Sequence, residues 1–370
     1  MSKTAALSSS IPLHKQKPVI TDLFIAGVGA VGGTLIRQIK NLSDAERFNL
    51  VGVCNSSRIL WLNGKEKIIN KQTLASGEPK NWELVLKKLQ SDPDRDLIFV
   101  DATGDHEVAE LYMKLFKKGI HVVTPSKLAN TRKQAYFNLL QKTADEHDVQ
   151  FLFETNVGAG LPVIRTVRDL VKSGDTITEI SGVLSGTMTY IFSQLDAGHS
   201  FSESVIQARQ LGYAEPDPRD DLSGEDVARK MMILSRVSGY DIEREDLKVE
   251  PITPEPLQHV DSASFLSRLS EFDEEWKVKL QNLKKDGKTL RYLGKMNGDG
   301  ITVGLQEIEI NSPVGRLYGT NNIIQIKTKR YDHQPLIIQG PGAGKEVTAA
   351  GVLADIRQIT RNSMRNGVSY

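Results

Sequence analysis

A glycine-rich loop between a strand-like run and a helix-like run constrains the fold more than any other feature. The loop, GVGAVGG over 27–33, follows the β-rich run 19–27 and precedes the helically spaced TLIRQIKNL. Its G-x-G-x-x-G pattern permits a tight turn, a close approach of the backbone to a pyrophosphate, and close packing of helix on strand. This context favours a dinucleotide-binding βαβ unit, with phosphate at the helix N-terminus, over a glycine turn without a ligand. The predicted cofactor contacts in the loop are Gly27, Gly29, Ala30, Val31 and Gly32.

Strand-like and helix-like runs alternate through the rest of the first half of the chain. Such alternation is typical of a parallel sheet with helices on both faces. We therefore predict an α/β domain of the doubly wound, Rossmann type over 19–156. The predicted strands are 49–55, 96–103, 121–125 and 149–155, and the predicted helices are 106–119 and 131–147.

Past Val157 the pattern changes to that of a second domain. Several later runs alternate like strands of an open, half-solvated sheet. We predict an α+β domain for catalysis and dimerisation over 157–338, and we expect a homodimer. The segment 339–370 holds a small-residue helix that should pack back on the nucleotide-binding domain, and residues 1–18 should form a flexible tail. The alternating runs are 291–295, 301–310 and 323–329.

The composition excludes several classes of partner and site. Lysine and arginine total 47 against 46 aspartates and glutamates, and a net charge of +1 provides no electrostatic footprint for nucleic acid or an anionic membrane. The single cysteine, Cys54, excludes a disulfide framework and fits a reducing cytoplasm. No run is apolar and long enough for a signal peptide or for the roughly 20 residues that span a bilayer. We expect a cytoplasmic protein that acts on small molecules.

The end of the second strand bears on the choice of cofactor. An acid that binds the adenosine ribose is usual there, but the sequence reads Cys54-Asn55-Ser56-Ser57-Arg58. An acid would repel a 2′-phosphate, whereas Arg58 could bind one, so acceptance of NADPH is favoured. The alternative is an arginine that is merely exposed to solvent. The sequence does not decide between NAD and NADP.

Polar residues follow two further strands at the edge where ligands bind in such sheets. Thr103, after the third strand, is placed to touch the nicotinamide side of the cofactor. Lys127, after the fourth, should point into the same crevice and handle substrate or protons. A plain surface lysine is the alternative.

The junction ETNVGAGLP (154–162) combines two glycines with a carboxylate. Gly158 and Gly160 allow backbone angles that turn carbonyls inward, and Glu154 precedes them. Carbonyls with one carboxylate suit a hard cation such as sodium or potassium. The alternative is a simple hinge turn.

The segment EPDPRDDLSGEDVARK (215–230) packs six carboxylates and three basic residues before the apolar run MMIL. It predicts a polar loop that leads into a helix, which Ser223 caps with Asp226 at the capping-box position. Asp226 and Lys230 are i, i+4 neighbours beside the buried face of that helix. They form either an ion pair worth about 0.3–0.5 kcal/mol, or an acid–base lysine held by a carboxylate at the edge of a charged-substrate pocket.

Together these motifs resemble homoserine dehydrogenase over about residues 20–360. The resemblance implies a reversible, NAD(P)H-dependent reduction of L-aspartate 4-semialdehyde to L-homoserine, on the route to threonine, methionine and isoleucine. The likeness is carried by GVGAVGG, TPSK (124–127), ETNVGAGLP, SGTMTYIF (185–192), LGYAEPDPRDDLSGEDVARK (211–230) and QGPGAGKEVTAAGVL (339–353).

The resemblance also implies roles for residues in the polar segments. Lys230 corresponds to the proton-transferring lysine, and Lys127 to a second lysine in the site. Asp226 corresponds to a carboxylate at the reacting end of the substrate. Glu215 matches the glutamate that binds the substrate ammonium group, and Asp221 lies in the same cluster.

Cation and cofactor contacts are implied in the same way. Lys345 and Glu346 depart from the family, since small residues are common at these positions, and this departure bears on the details of cofactor contact. The implied cation ligands are Glu154 and the carbonyls of Val157, Ala159 and Leu161. Further implied cofactor contacts are Lys127, Gly212 and Gly344.

Two other functions compete with this interpretation. A dehydrogenase that oxidises aspartate semialdehyde to an acyl phosphate needs a thiol nucleophile in the substrate domain, but Cys54 lies at the adenosine end of the sheet. A nucleotide-sensing protein would not need Lys230 together with the acidic segment. Because the chain ends at Tyr370 directly after the last helix, we expect the form without an aspartokinase or a C-terminal regulatory domain. Threonine feedback through such a domain is therefore not expected.

Overall fold

The computed structural model describes residues 20–63, 69–92 and 95–366. The tail predicted at 1–18 lies outside these residues. The described residues form two sheets covered by helices, which agrees with the predicted α/β architecture. Among these residues, the helices are all too short or too polar to cross a membrane.

The first sheet is the predicted doubly wound, largely parallel sheet. Its strands are β1 (Thr21–Ala26), β2 (Phe48–Cys54), β3 (Arg58–Trp61), β4 (Glu78–Pro79), β5 (Asp96–Asp101), β6 (His121–Val123) and β7 (Phe151–Leu152). The helices around it are α1 (Ala30–Lys40), α2 (Lys71–Ala75), α3 (Trp82–Lys88), α4 (His106–Ala109), α5 (Tyr112–Phe116) and α6 (Gln134–Glu146). The strand order is β4-β3-β2-β1-β5-β6-β7, with all pairs parallel except those of β3 and β4 at one edge.

Both faces of this sheet are buried because alternate side chains of each strand enter different clusters. Leu23 and Ile25 of β1 pack with Leu35 of α1 on one face. Phe24, between them in the sequence, stacks on Phe99 of β5 on the other face, with ring centroids 5.4 Å apart. Burial on both faces explains the continuous apolar runs that predicted parallel strands.

Two local features differ from the predicted elements. The chain reverses after β2 because the Asn55 side chain accepts from the amides of Ser57 and Arg58, and this turn starts the unpredicted antiparallel strand β3. The single helix predicted at 106–119 is two short helices, α4 and α5. The amide of Leu111 donates to Val108, three residues back instead of four, and this tighter turn separates them.

The second sheet belongs to the later part of the chain and is mostly antiparallel. Its strands are β8 (Ile177–Val183), β9 (Leu247–Val249), β10 (Lys288–Asn297), β11 (Gly300–Glu309), β12 (Asn321–Thr328) and β13 (Leu336–Pro341), in the order β13-β12-β8-β10-β11-β9. The helices are α7 (Val163–Lys172), α8 (Gly186–Ala197), α9 (Phe201–Gln210), α10 (Pro218–Leu222), α11 (Glu225–Val237), α12 (Ser262–Arg268) and α13 (Asp273–Lys285). A Cβ at Gly294 of β10 would lie only 2.8 Å from the Met231 sulfur, so this glycine lets α11 pack closely on the sheet.

The last helix, α14 (Lys345–Asn366), returns to the first sheet as predicted. Val352 and Ile356 join the cluster formed by β1 and α1. The hydroxyls of Thr360 and Thr21 lie 3.0 Å apart in the same interface. A Cβ at Gly351 would overlap the side chain of Thr155, so a small residue is needed where α14 crosses the domain junction.

Candidate active site

The glycine loop between β1 and α1 has the geometry of a phosphate-binding turn. Gly27 has φ +91°, and a Cβ there would lie 2.6 Å from the Ala102 carbonyl oxygen. A Cβ at Gly32 would overlap the Gly27 carbonyl, so α1 packs against the turn only with glycine there. Gly29 is different, because a Cβ there would meet nothing within 4 Å. Open space thus adjoins the start of α1, and Gly29, its N-cap residue, has no side chain to cap the helix.

Asp101 ends β5 at the edge of the sheet beside this loop. Its buried carboxylate accepts from the Tyr112 hydroxyl at 2.5 Å and from the amide and hydroxyl of Thr103 at 2.8 and 2.6 Å. Burial raises the pKa of Asp101, although these hydrogen bonds oppose the rise. Thr103, predicted as a cofactor contact, is therefore held in place by a buried carboxylate that the sequence analysis did not single out.

Three predicted catalytic side chains come together where the two sheets meet. The Asp226 carboxylate lies 2.7 Å from Lys230 Nζ and 3.3 Å from Lys127 Nζ. Asp226 and Lys230 share α11, whereas Lys127 comes from the loop after β6. Lys230 also donates to the Leu184 carbonyl at the end of β8, at 2.7 Å.

The two lysines determine the charge state of Asp226. Burial alone would raise its pKa, but the adjacent ammonium groups of Lys230 and Lys127 outweigh burial and hold the pKa well below its usual range. Asp226 is therefore a carboxylate at neutral pH. The group carries two positive charges and one negative charge.

Helix α11 begins differently from the prediction. The predicted capping box of Ser223 and Asp226 is wrong. The residue before the helix is Gly224, and the Ser223 hydroxyl donates to the Asp220 carbonyl at 2.7 Å. Gly224 has φ +77°, and a Cβ there would overlap the Tyr292 hydroxyl. This packing against β10 sets where α11 starts, and local sequence patterns carry no signal for it.

The segment before α11 is not a simple polar loop, since residues 218–222 form α10. Asp221 accepts from the Thr187 hydroxyl at 2.9 Å and from the Glu215 amide at 2.8 Å. Burial raises the pKa of Asp221, and the charges of Glu215 and Asp226 raise it further. The Glu215 side chain is exposed. Thr187 lies in SGTMTYIF, which carries part of the family resemblance but did not suggest this contact.

A family model described as "Homoserine dehydrogenase" matches residues 162–356, and one described as "Homoserine dehydrogenase, NAD binding domain" matches residues 27–154. The chain belongs to the homoserine dehydrogenase family. Its glycine loop thus lies in the NAD-binding domain of that family, and its lysine–aspartate group joins both matched regions.

Relatives of two kinds match this chain. The homoserine dehydrogenase of Paracoccidioides brasiliensis is 36% identical over 364 residues, covering 91% of this chain and 97% of that protein. The bifunctional aspartokinase/homoserine dehydrogenase of Haemophilus influenzae is 40% identical over 352 residues, covering 93% of this chain but only 43% of that protein. The chain thus spans less than half the length of the bifunctional relative. A crystal structure of a protein of unknown function from Candida auris is 33% identical, with a TM-score of 0.82 over 92% of this chain and 98% of its own.

Glu346, where the resemblance predicts a small residue, joins the start of α14 to α1. Glu346 forms an ion pair with Arg37 of α1, and the Gln38 side chain donates to the Glu346 backbone carbonyl at 3.0 Å. These contacts fasten α14 to α1 beside the glycine loop. The preceding Gly344 has φ +119°.

Glu154 has a structural role that the sequence analysis missed. Its two carboxylate oxygens accept from the amides of Ile164 and Arg165 at 2.7 and 2.8 Å, so it caps the start of α7. Burial raises its pKa. Ala159, a predicted carbonyl ligand, has φ +52°, and the Leu161 carbonyl accepts from the Val163 amide at 2.9 Å. Each carboxylate oxygen has a further lone pair, so this arrangement leaves capacity for a cation.

Asp355 of α14 meets Glu154 at the domain junction. Its carboxylate accepts from the Glu154 amide at 3.0 Å and lies 3.4 Å from the Arg165 guanidinium. Burial raises the pKa of Asp355 to about 7, with the Glu154 amide opposing the rise and the Glu154 charge adding to it.

Of the remaining predicted cofactor contacts, Gly212 follows α9 and has φ +71°, and Arg58 begins β3. Arg58 is exposed and donates to the Gly77 carbonyl at 3.3 Å. Cys54 is buried, and burial raises the pKa of its thiol to about 12. A buried, protonated thiol in the nucleotide-binding sheet is a poor nucleophile, which argues against the acyl-phosphate chemistry.

Proposed function

We propose that this chain catalyses the reversible, NAD(P)H-dependent reduction of L-aspartate 4-semialdehyde to L-homoserine. The observation that carries the proposal is Asp226 bound to both Lys127 and Lys230, beside the edge of a dinucleotide-binding sheet. Such a group can protonate an oxygen that becomes an alkoxide during reduction. Membership in the homoserine dehydrogenase family supports this choice of substrate over other small aldehydes.

Lys230 is our proposed proton donor. A bound reduced nicotinamide would supply the hydride to the aldehyde carbon. An ammonium group has three N–H donors, and Asp226 and the Leu184 carbonyl accept from two of those of Lys230. The third is available to the substrate oxygen. Lys127 shares Asp226 and would stabilise the developing negative charge or share the proton transfer.

The other end of the substrate would be bound by the acidic segment. Glu215 has an exposed carboxylate, and Asp221 holds the Glu215 backbone amide. We propose that Glu215 binds the substrate ammonium group, with Asp221 as a second negative charge in the same pocket. The exposure of Glu215 supports this role, because an ion pair with substrate forms only where the carboxylate is accessible.

The cofactor is proposed to lie along the glycine loop and the carboxyl edge of the first sheet. Open space at Gly29 and the uncapped start of α1 fit a pyrophosphate. We propose that Arg58 binds a 2′-phosphate, so that NADPH is accepted. The proposed contacts are Gly27, Gly29, Ala30, Val31, Gly32, Arg58, Thr103, Lys127, Gly212 and Gly344.

A monovalent cation is proposed at the domain junction. The support is the turn of positive φ at Gly158 and Ala159 beside a buried carboxylate, Glu154. The ligands would be Glu154 and the carbonyls of Val157, Ala159 and Leu161. We expect the rate to rise with sodium or potassium at constant ionic strength, with choline as the control cation. An equal rate in choline contradicts this site.

A homodimer and a cytoplasmic location are also proposed. On the outer face of the second sheet, Glu179 lies between Lys295 and Lys327, at 3.1 and 3.6 Å, and the side chain of Ile337 on the same face is half exposed. A second copy could cover this face. Light scattering that gives the mass of one chain at micromolar concentration contradicts the dimer. The single buried cysteine supports a reducing compartment.

The test of the proposed function is oxidation of NADPH in the presence of aspartate semialdehyde. We expect stoichiometric formation of homoserine, with the reverse reaction from homoserine and NADP⁺. An acyl-phosphate-forming dehydrogenase would instead reduce NADP⁺ with the semialdehyde and phosphate. A nucleotide sensor would bind NADPH without turnover. Either of these results rejects the proposal.

A further inference from the structure

A completely buried arginine on α11 uses all of its hydrogen-bond donors. The side chain of Arg236 is 0% exposed. Its Nη1 donates to the carbonyls of Asn130 and Arg132 at 2.8 and 2.6 Å. Its Nε and Nη2 both donate to the Ile242 carbonyl, and Nη2 also donates to Glu243 at 3.3 Å. Five contacts match the five N–H donors of a guanidinium.

The first two acceptors belong to the loop that carries Lys127. Asn130 and Arg132 flank Thr131, whose amide and hydroxyl both donate to the Lys127 carbonyl, at 3.0 and 2.9 Å. The loop is therefore a closed turn, and movement of the Asn130 or Arg132 carbonyl displaces the Lys127 backbone as well.

The other acceptors connect the same arginine to the start of α6. The Glu243 carboxylate accepts from the Gln134 amide at 3.1 Å, and the Gln134 side chain accepts from the Ile242 amide at 3.2 Å. The Arg236 guanidinium also lies over the Phe137 ring of α6, 5.6 Å from its centroid. Arg236 is thus bound from two sides to the part of the chain that follows Lys127.

Arg236 lies on the helix that carries Asp226 and Lys230. The 3.3 Å contact between Lys127 and Asp226 crosses from the nucleotide-binding sheet to this helix. Arg236 makes a second contact between these two parts of the chain, and its hydrogen bonds are buried and directional. A partly exposed ion pair is weak and easily lost. The buried hydrogen bonds of Arg236 are therefore the stronger constraint on the distance between Lys127 and Asp226.

We propose that Arg236 is a positioning residue that fixes Lys127 against Asp226 and Lys230 by holding the carbonyls of the Lys127 loop to α11. The inference rests on the proposed function, since it gives Lys127 a role in turnover. Lysine cannot replace Arg236 in this role. Its single ammonium has three donors at one point, whereas the acceptors of Arg236 are spread around a planar fork.

The test is a double-mutant cycle with Arg236→Lys and Lys127→Ala. Arg236→Lys is expected to lower kcat about ten- to a hundredfold, because small displacements of a catalytic group are costly. The dissociation constant of NADPH, measured by fluorescence, should rise by no more than it does in Lys127→Ala, because Lys127 is itself a proposed cofactor contact. In the Lys127→Ala background, Arg236→Lys should change kcat by about twofold or less, since the displaced group is already absent.

Arg291→Lys is the matched control. Arg291 is also buried and donates to backbone carbonyls, among them those of Val314, Gly315 and Leu317, but its ion-pair partner is Asp196 at the end of α8. This variant should lower the melting temperature and leave kcat per folded molecule unchanged. If Arg236→Lys does not fold, Glu243→Ala takes its place, because Glu243 is partly exposed and binds both Arg236 and Gln134.

The outcomes separate this inference from the proposed function. An effect of Arg236→Lys or Glu243→Ala on kcat that disappears in the Lys127→Ala background supports positioning through Lys127. Equal effects in both backgrounds, or an unchanged kcat, overturn the inference and leave the proposed function standing. A wild-type kcat in Lys127→Ala alone removes the role proposed for Lys127, and with it the reason for positioning that residue.

Discussion

Asp226 organises the candidate site at the scale of single residues. It accepts from two ammonium groups and has a depressed pKa, so the group of three side chains keeps a net positive charge at neutral pH. A positive charge fixed in position before reaction stabilises a developing alkoxide without reorganisation. Asp226 would therefore orient Lys127 and Lys230 without cancelling their combined charge.

Lys230→Ala should lower kcat by at least about a hundredfold, since general acid catalysis contributes on that scale. NADPH should still bind, because Lys230 lies on α11 and not on the glycine loop. Steady-state kinetics and NADPH fluorescence titration measure the two effects. Lys277→Ala, which removes an exposed i, i+3 ion pair with Glu274, serves as the control and should behave like wild type. Near-wild-type turnover in Lys230→Ala would exclude it as the proton donor.

Arg58→Ala should raise the KM for NADPH about tenfold or more and leave the KM for NADH nearly unchanged. The expected loss is that of a charge-assisted hydrogen bond to the 2′-phosphate, worth about 1.5–3 kcal/mol. Kinetics with both cofactors measure the ratio. An equal change in KM for NADPH and NADH would mean that Arg58 does not bind the 2′-phosphate.

Local patterns predicted the pairing of Asp226 with Lys230, because helical periodicity alone makes residues four apart neighbours. The approach of Lys127 to Asp226 joins distant parts of the chain, and only the family resemblance placed both residues in one site. Arg236 was not found from the sequence. An arginine near the end of a helix looks the same whether it is solvated or buried in a network of carbonyls.

At the scale of elements, the start of α11 determines where Asp226 and Lys230, the proposed catalytic residues of this helix, lie. Gly224→Ala should lower both stability and kcat, because φ +77° strains alanine and the added Cβ overlaps the Tyr292 hydroxyl. Gly198→Ala is the control, since Gly198 also has positive φ, +99°, but a Cβ there meets nothing within 4 Å. The control should lose about 1–2 kcal/mol from the backbone alone and keep its kcat.

Urea unfolding and steady-state kinetics of the two glycine variants measure this difference. We expect a larger loss of unfolding free energy in Gly224→Ala, together with a fall in kcat that Gly198→Ala does not show. An equal loss of unfolding free energy in the two variants would mean that the Tyr292 side chain moves aside and α11 does not shift. The proposed effect of this packing on α11 would then be wrong.

Strands that are buried on both faces were predicted well, and elements whose bounds depend on local hydrogen-bond partners were not. The parallel strands were visible because burial on both faces makes them continuously apolar. Strand β3 begins at the turn that Asn55 makes and pairs with the edge strand β4, and neither strand has such a signal. The predicted strand 149–155 contains only β7, since Glu154 leaves the sheet to cap α7.

At the scale of the whole molecule, Asp355 links the last helix to the domain junction. Its folded pKa of about 7 exceeds the value of about 3.9 expected in an unfolded chain. Between these values the folded protein holds a proton that the unfolded chain releases. The contribution of Asp355 to stability is therefore greatest below about pH 4 and declines as the pH rises to about 7.

Asp355→Asn should remove this decline, because asparagine does not titrate and its carbonyl can still accept from the Glu154 amide. As the pH rises from about 5 to about 8, the free energy of unfolding of the variant should increase relative to that of wild type, by an amount on the order of a few kcal/mol. Chemical unfolding across this range measures the difference. Ser267→Ala, which removes an exposed hydroxyl that does not titrate in this range, should show no pH-dependent difference from wild type. A constant difference between Asp355→Asn and wild type would contradict the raised pKa.

The return of α14 to the first sheet has a consequence for synthesis. The glycine loop, β1 and α1 are synthesised more than 300 residues before α14, so the apolar surface that Val352 and Ile356 cover on them has no partner until α14 emerges from the ribosome. The nucleotide-binding domain therefore cannot complete its core until the second sheet has been synthesised. A nascent chain stalled before α14 should expose this surface to chaperones and proteases, even though every residue of the glycine loop is already present.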